Sequence, residues 1–204
     1  MPKDSVLEKV KKLRELTGVG FKDCKNAIDQ NNGDIDKSIE FLRKKGIAKA
    51  NKKMERIAAD GLIAISEKDN KFSIIEINSE TDFVAKNEEF IKFSEEVSNN
   101  SLLNFGKIND ILNSQMKNKK SVKENLVTLI SKIGEKITVR RSDYIDSKNS
   151  VNFSYTHTEI KKNIGKIGVL LSLETTIDKD KISEFGKQLS MHIAASSPLS
   201  IDKN

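Results

Sequence analysis

Apolar residues recur at helical spacing through the first quarter of the chain and at alternate positions in much of the rest. Val6, Val10, Leu13 and Leu16 predict a helix over residues 5–17, with Ser5 and Glu8 as a capping-box pair at its start. Thr17-Gly18-Val19-Gly20 ends it, because two glycines permit a sharp reversal. A second short helix puts Cys24, Ala27 and Ile28 inward and closes at Asn31-Asn32-Gly33. Asp34 caps a third, with Ile35, Ile39 and Leu42 on one face and Gly46 just past its end. Three short helices in so few residues leave no room for an enclosed active site, so the module reads as a binding unit. The basic run Ile47 to Ala59 reads either as a connecting helix or as a flexible charged linker.

From Gly61 the period changes. Leu62 to Ser66 and Phe72 to Asn78 predict two strands joined by a polar turn at Lys68-Asp69-Asn70-Lys71. A helix from Asn87 to Val97 follows, with Phe90, Ile91, Phe93 and Val97 inward. Residues 99–120 are polar and poorly patterned. Val122, Leu126, Leu129, Ile130 and Ile133 form a helical stripe that Gly134 ends, and Ile137 to Arg140 reads as a strand. Residues 143–150 read as a polar connection. Val151, Phe153, Tyr155 and His157 alternate with polar residues, as in a strand with one buried face. Gly165 to Glu174 predicts one further strand, and a last helix carries Ile182, Phe185, Leu189 and Ile193 inward and stops before Pro198.

The order strand, turn, strand, loop, helix therefore occurs twice. Ile74-Ile75-Glu76-Ile77 matches Leu170-Leu171-Ser172-Leu173, and Phe90 and Phe93 match Ile182 and Phe185. The first copy has four extra residues between its strand and its helix, in the loop Ser79 to Asn87. That loop carries Phe83 and Val84 beside Asp82, where turn formers are the norm. Such residues either fold back on the core or meet a partner. Because the second copy does without the extra length, the reading adopted is that Phe83 and Val84 face a partner. The predicted class is α+β: a three-helix domain over residues 1–46, a basic connecting helix over 47–60, and two related subdomains with antiparallel strands over 61–142 and 143–204.

Charge sharpens the picture. The net charge is +6, and residues 1–56 hold 15 Lys/Arg against 9 Asp/Glu, so the surplus belongs to the N-terminal quarter. That surplus reads as a solvated helical face or as attraction to an acidic partner or RNA. With arginine only at 14, 43, 56, 140 and 141 and no Trp, the set is poor for base readout, and no direct nucleic-acid ligand is expected. The main rival reading is nonetheless a basic ribosome- or RNA-associated protein, whose binding would fall steeply with salt. No apolar run approaches the ~18 residues of a membrane span. The start Met1-Pro2-Lys3-Asp4-Ser5 has no apolar signal core, and Cys24 is the single cysteine. Both fit a cytoplasmic protein.

Enzyme chemistry is not expected. Two histidines and one cysteine assemble no nucleophile–base pair or metal set, and no catalytic residue, cofactor or metal site is assigned. Gly18-Val19-Gly20 lacks the preceding strand and the third glycine of a dinucleotide loop.

Thr81-Asp82-Phe83-Val84-Ala85-Lys86-Asn87 resembles the signature of the elongation factor Ts family, guanine-nucleotide exchange factors for elongation factor Tu. Leu13-Arg14-Glu15-Leu16-Thr17-Gly18-Val19-Gly20-Phe21-Lys22-Asp23-Cys24-Lys25 is similar to the family's other signature. Asn32-Gly33-Asp34-Ile35, Ile133-Gly134-Glu135, Tyr155-Thr156-His157 and Met191-His192-Ile193-Ala194-Ala195 match in order, so the resemblance covers essentially the whole chain. It implies a UBA-like three-helix module that binds the partner's GTPase domain through Arg14, Phe21, Lys22 and Lys25. It implies that Thr81, Asp82, Phe83 and Val84 form the segment that helps displace the partner's Mg2+, with Phe83 wedged between partner helices. Ile133, Gly134 and His157 would add core contacts. Asp82 is either a helix cap or a partner contact, or both. Lys22 stands where the family usually has a second apolar residue after Gly20, and the family's long form continues past the Met191-His192 helix, so a fragment is expected.

Overall fold

Ser5 opens the first helix as predicted: its Oγ accepts from Glu8 N–H while Glu8 Oε2 accepts from Ser5 N–H at 2.7 Å. The computed structural model describes residues 5–146 and 149–201. Expectations for residues 1–4, 147–148 and 202–204 lie outside the described residues. Contacts divide the chain into two units, one running to Ile57 and including Glu124–Lys136, the other Ala58–Lys123 with Ile137 onward.

In the first unit, α1 (Val6–Thr17), α2 (Phe21–Gln30) and α3 (Ile35–Lys53) close around Val10, Leu13, Cys24, Ala27, Ile28 and Leu42. Gly18 caps α1 at φ 66°, its N–H donating to Arg14 O at 2.8 Å. Leu16 departs from the expected stripe and is 61% exposed. The inward position is Thr17 instead, whose Oγ1 donates to Leu13 O at 2.7 Å. Asp34 caps α3 as predicted, but Gly46 does not stop it. The helix runs on to Lys53, and Gly46 is a close-approach site: a Cβ there would fall 2.7 Å from Ser131 Oγ. Ser131 lies on α7 (Val122–Ile133), whose residues from Glu124 belong to this unit. Residues 124–136, which the chain-order division assigned to 61–142, are thus grouped by contact with the N-terminal helices.

The second unit is built on a sheet with strand order β3-β2-β1-β5: β1 (Asp60–Lys68), β2 (Lys71–Ser79), β3 (Ile137–Ile145) and the two-residue β5 (Ile164–Gly165). All neighbouring strands are antiparallel. Asp69 and Asn70 both take positive φ, 51° and 62°, as a two-residue hairpin turn requires. Asn70 then holds the start of β4 (Ser150–His157): its Nδ2 donates to Ser150 O at 2.9 Å and its Oδ1 accepts from Asn152 N–H at 3.0 Å. β4 pairs antiparallel with β6 (Ile167–Glu174) in a second, two-stranded sheet. The expected single strand from Gly165 to Glu174 is therefore two pieces, changing sheets at Lys166.

A four-residue α4 (Asp82–Ala85) precedes α5 (Glu88–Leu103), which lies across β1 and β2 and buries Phe90, Phe93 and Val97. The poorly patterned stretch holds the end of α5 and a short α6 (Ile108–Asn113). β3 reaches Ile145, into the segment read as a connection. α8 (Lys179–Ser196) packs on β4 and β6 through Gly186 and Ser190, while Phe185, expected inward, is 58% exposed. Gly186 sets that geometry, since a Cβ there would fall 2.6 Å from the Phe153 ring. The strand–strand–helix order does occur twice, as β1-β2-α5 and β4-β6-α8. Only the first copy has a helix, α4, between its second strand and its long helix.

Candidate partner-binding site

The turn that carries Phe83 is fixed at both ends. Ser79, the last residue of β2, donates its Oγ to Thr81 O at 2.9 Å. Thr81 is the extended N-cap of α4. On the far side, Asn87 caps α5, its Oδ1 accepting from Glu89 N–H at 2.9 Å and Phe90 N–H at 3.2 Å. Between these anchors the helical turn sorts four side chains. Val84 and Ala85 are buried, at 4% and 0% exposure, whereas Phe83 is 78% exposed.

The expectation that Phe83 and Val84 both face a partner is corrected here: Val84 is a core anchor, and only the ring of Phe83 stands out. The turn puts Asp82 and Phe83 on its outer side and Val84 and Ala85 on the side that meets the core. Asp82 caps neither helix. It opens α4 and pairs with Lys86 one turn on, at 3.4 Å, and both side chains are more than half exposed.

The first unit presents a second cluster. Arg14 lies in the last turn of α1, and Phe21 and Lys22 open α2, so the Thr17–Gly20 reversal brings them to one corner. Lys25 follows one turn along α2, on the flank of its buried face. All four are exposed. Leu16, expected on the core stripe, is also exposed just before this reversal, and Phe21 is itself 45% exposed. Val10, Leu13 and Thr17 form a tighter stripe that leaves Leu16 off the face, and Val6, also expected on the stripe, is 54% exposed.

Ile133 and Gly134 belong to this unit as well, not to the second unit with Thr81–Val84. Gly134 caps α7 at φ 85°, its N–H donating to Ile130 O at 2.9 Å, and its carbonyl accepts from Lys53 Nζ. Lys136 Nζ in turn donates to Met54 O and Arg56 O, each at 2.7 Å. Two lysines thus tie the ends of α3 and α7 together, and the neighbouring Lys132 side chain lies against Gly18. Below the same corner, Asp23 accepts from Lys49 at 2.7 Å and Lys45 at 3.0 Å. The Lys49 bond, with Lys45, outweighs burial and holds the Asp23 carboxyl below the usual carboxylate range.

His157 ends β4 in the second unit and is exposed, where a partly buried residue was the plain reading. Its Nδ1 shares a hydrogen bond with Tyr155 Oη at 3.0 Å. Among the described residues, no group of three His, Cys, Asp or Glu side chains is placed to hold a metal ion.

The sequence profile of the family described as "Elongation factor TS" matches residues 80–204, a span that contains the Phe83 turn. The curated relatives extend the match toward the N-terminus. The elongation factor Ts of Bartonella quintana is 44% identical over 193 residues, 94% of this chain and 63% of that protein. That of Methylobacterium radiotolerans is 42% identical over 194 residues, 95% of this chain and 63% of its own length. This chain belongs to the elongation factor Ts family. It spans 63% of the length of these family members. The three-helix unit followed by antiparallel sheets with packed helices is the α+β architecture expected for the family.

Proposed function

We propose that this chain is a guanine-nucleotide exchange factor that acts on the GTPase elongation factor Tu in the cytoplasm. It catalyses no covalent chemistry. The observation that carries the reading is Phe83: an aromatic ring 78% exposed, held on a four-residue helix whose next two residues are buried. A mobile loop would lose its apolar contact to conformational entropy. A ring fixed by anchors on both sides can press on a partner.

A GTPase holds GDP through backbone N–H groups around the phosphates, a lysine and a bridging Mg2+. A factor releases GDP only by binding the nucleotide-free shape more tightly than the nucleotide-bound one. Burying a Phe side chain is worth ~1.5–3 kcal/mol, one to two decades in an equilibrium constant. Spent on opening the partner's helices, that energy comes out of the metal and phosphate contacts. In this reading Phe83 is the wedge and Thr81 and Asp82 contact the partner beside it. Val84 acts from behind by fixing the turn. Arg14, Phe21, Lys22 and Lys25 dock the GTPase domain from the first unit, joined by Leu16 and by the Ile133–Gly134 corner. His157 adds a contact from the second sheet.

The test is release of fluorescent GDP from purified elongation factor Tu. The chain should speed release, and Phe83→Ala should slow it toward the unassisted rate while leaving the fold intact. Full exchange activity in that variant would remove the wedge.

A further inference from the structure

The second unit holds a groove of about 510 Å3 lined by Asp60 of β1, Glu76 and Asn78 of β2, Arg141 of β3, and Lys166 between the two sheets. A register shift between Glu76 and Ile77 builds its charged side. Glu76 stands opposite Arg141 and Ile77 opposite Val139, so Arg140 is the extra residue of a bulge. Both arginines consequently reach one carboxylate: Arg140 Nη1 donates to Glu76 Oε1 at 2.7 Å, and Arg141 Nε donates to Oε2. Burial pushes the Glu76 carboxyl up, but the bonds from Arg140, Arg141 and Asn78 outweigh it and leave it ionised below its ordinary range. Two guanidinium groups on one carboxylate leave one positive charge over. Lys166 supplies none, because it is paired with Asp60. The surplus sits at Arg141, whose side chain is 73% exposed and which spends Nε on Glu76. Its two Nη groups form the fork that a second carboxylate fits.

Asn78 adds a separate demand. It is 6% exposed, and its Nδ2 donates to Asp60 O at 2.9 Å and Glu76 Oε1 at 3.0 Å. Its Oδ1 has no hydrogen-bond partner among the described residues. That oxygen is sealed beneath the groove wall, so a donor from what fills the groove reaches it once the Asn78 side chain or its cover shifts. A free anion without a proton to donate, such as chloride or sulfate, would answer Arg141 and leave Asn78 unmet. A polypeptide bearing Asp or Glu carries a carboxylate and a backbone N–H within one residue and answers both. The groove is also continuous with the proposed interface. The chain passes from Asn78 to Phe83 in five residues, at most ~18 Å. On the other side, Lys166 N–H donates to His157 O at 3.2 Å.

We infer that this groove seats a carboxylate-bearing extended segment of the same GTPase that receives Phe83, an inference that rests on the proposed function. The segment's carboxylate takes the Arg141 fork and its N–H takes Asn78 Oδ1. The experiment is titration of nucleotide-free elongation factor Tu with the chain at low and high salt, using Arg141→Gln, Arg140→Gln and Phe83→Ala. Arg141→Gln should bind about tenfold more weakly at low salt, with the deficit shrinking as salt rises. Arg140→Gln also removes one hydrogen bond from Glu76 but does not line the groove, so it should bind as the parent does. Parent-like binding by Arg141→Gln would overturn the inference, and so would an equal loss in Arg140→Gln, which would make the effect one of Glu76 alone. If inorganic phosphate alone titrates the Arg141 guanidinium signals in NMR while Arg141→Gln binds the GTPase normally, the groove is a small-anion site and the inference falls. A parent chain that does not bind the GTPase overturns the proposed function too, whereas a parent that binds beside an unaffected Arg141→Gln overturns only the groove.

Discussion

Val84→Ala and Phe83→Ala alter neighbouring residues of one turn and should have very unequal effects on stability. Val84 is 4% exposed, so truncation removes two buried methyl groups. At ~0.8 kcal/mol each the transfer loss is about 1.6 kcal/mol. The cavity left beneath α4 raises this toward ~2.5 kcal/mol, because a turn pinned by Ser79 and Asn87 collapses only partly. A loss near 2 kcal/mol is a roughly thirtyfold change in the folded-to-unfolded ratio. Phe83 is 78% exposed, and its truncation should stay within ~0.5 kcal/mol of the parent. Urea unfolding followed by tyrosine fluorescence reads the difference in the right place, since the chain has no Trp and its two tyrosines, Tyr144 and Tyr155, both lie in the second unit. A Val84→Ala loss below ~0.5 kcal/mol, or a Phe83→Ala loss equal to that of Val84→Ala, would refute the assignment of anchor and wedge.

Three further outcomes are expected. The folded-state pKa of Asp23 lies below its unfolded value of about 3.9, so its ion pairs stabilise the first unit fully above that value and are lost as pH falls through the folded value. The stability gap between the parent and Asp23→Asn should therefore close on acidification in acid-unfolding curves. Cys24 is fully buried, and burial pushes its thiol pKa up, so its reaction with a disulfide reagent should be about a hundredfold or more slower in the native chain than in urea. Gly186→Ala forces a Cβ into the Phe153 ring, itself 7% exposed, and should cost ~1–3 kcal/mol in the tyrosine-monitored assay.

What could be read in advance followed local chemistry. The Ser5–Glu8 box, the Asp34 cap, the Asp69–Asn70 hairpin and the halt before Pro198 each depend on a few adjacent residues, and each stands where expected. The doubled strand–strand–helix order was visible for the same reason, and with it the extra turn that became α4. The misreadings share a different cause. Gly46 has the sequence of a helix stop, but it lies inside α3, where Ser131 comes too close for a larger side chain. Phe185 falls at the spacing of a core residue, yet α8 sits so close to its sheet that only Gly186 and Ser190 fit beneath it. Val84 looked exposed because its loop is polar on either side, and its burial depends on a core assembled from β1, β2 and α5. The Arg140–Arg141 bulge could not be anticipated, because register is a property of two strands and not of one.

The central claim is that the Phe83 ring discriminates between two states of a GTPase, and equilibrium affinity for both states measures that most directly. The parent chain and Phe83→Ala would each be titrated against elongation factor Tu in its nucleotide-free and its GDP-bound form. The account predicts that the parent prefers the nucleotide-free form and that Phe83→Ala loses about one to two decades of that preference, with little change in affinity for the GDP-bound form. An equal loss of affinity for both forms would mean that the ring only adds contact area, and would contradict the account.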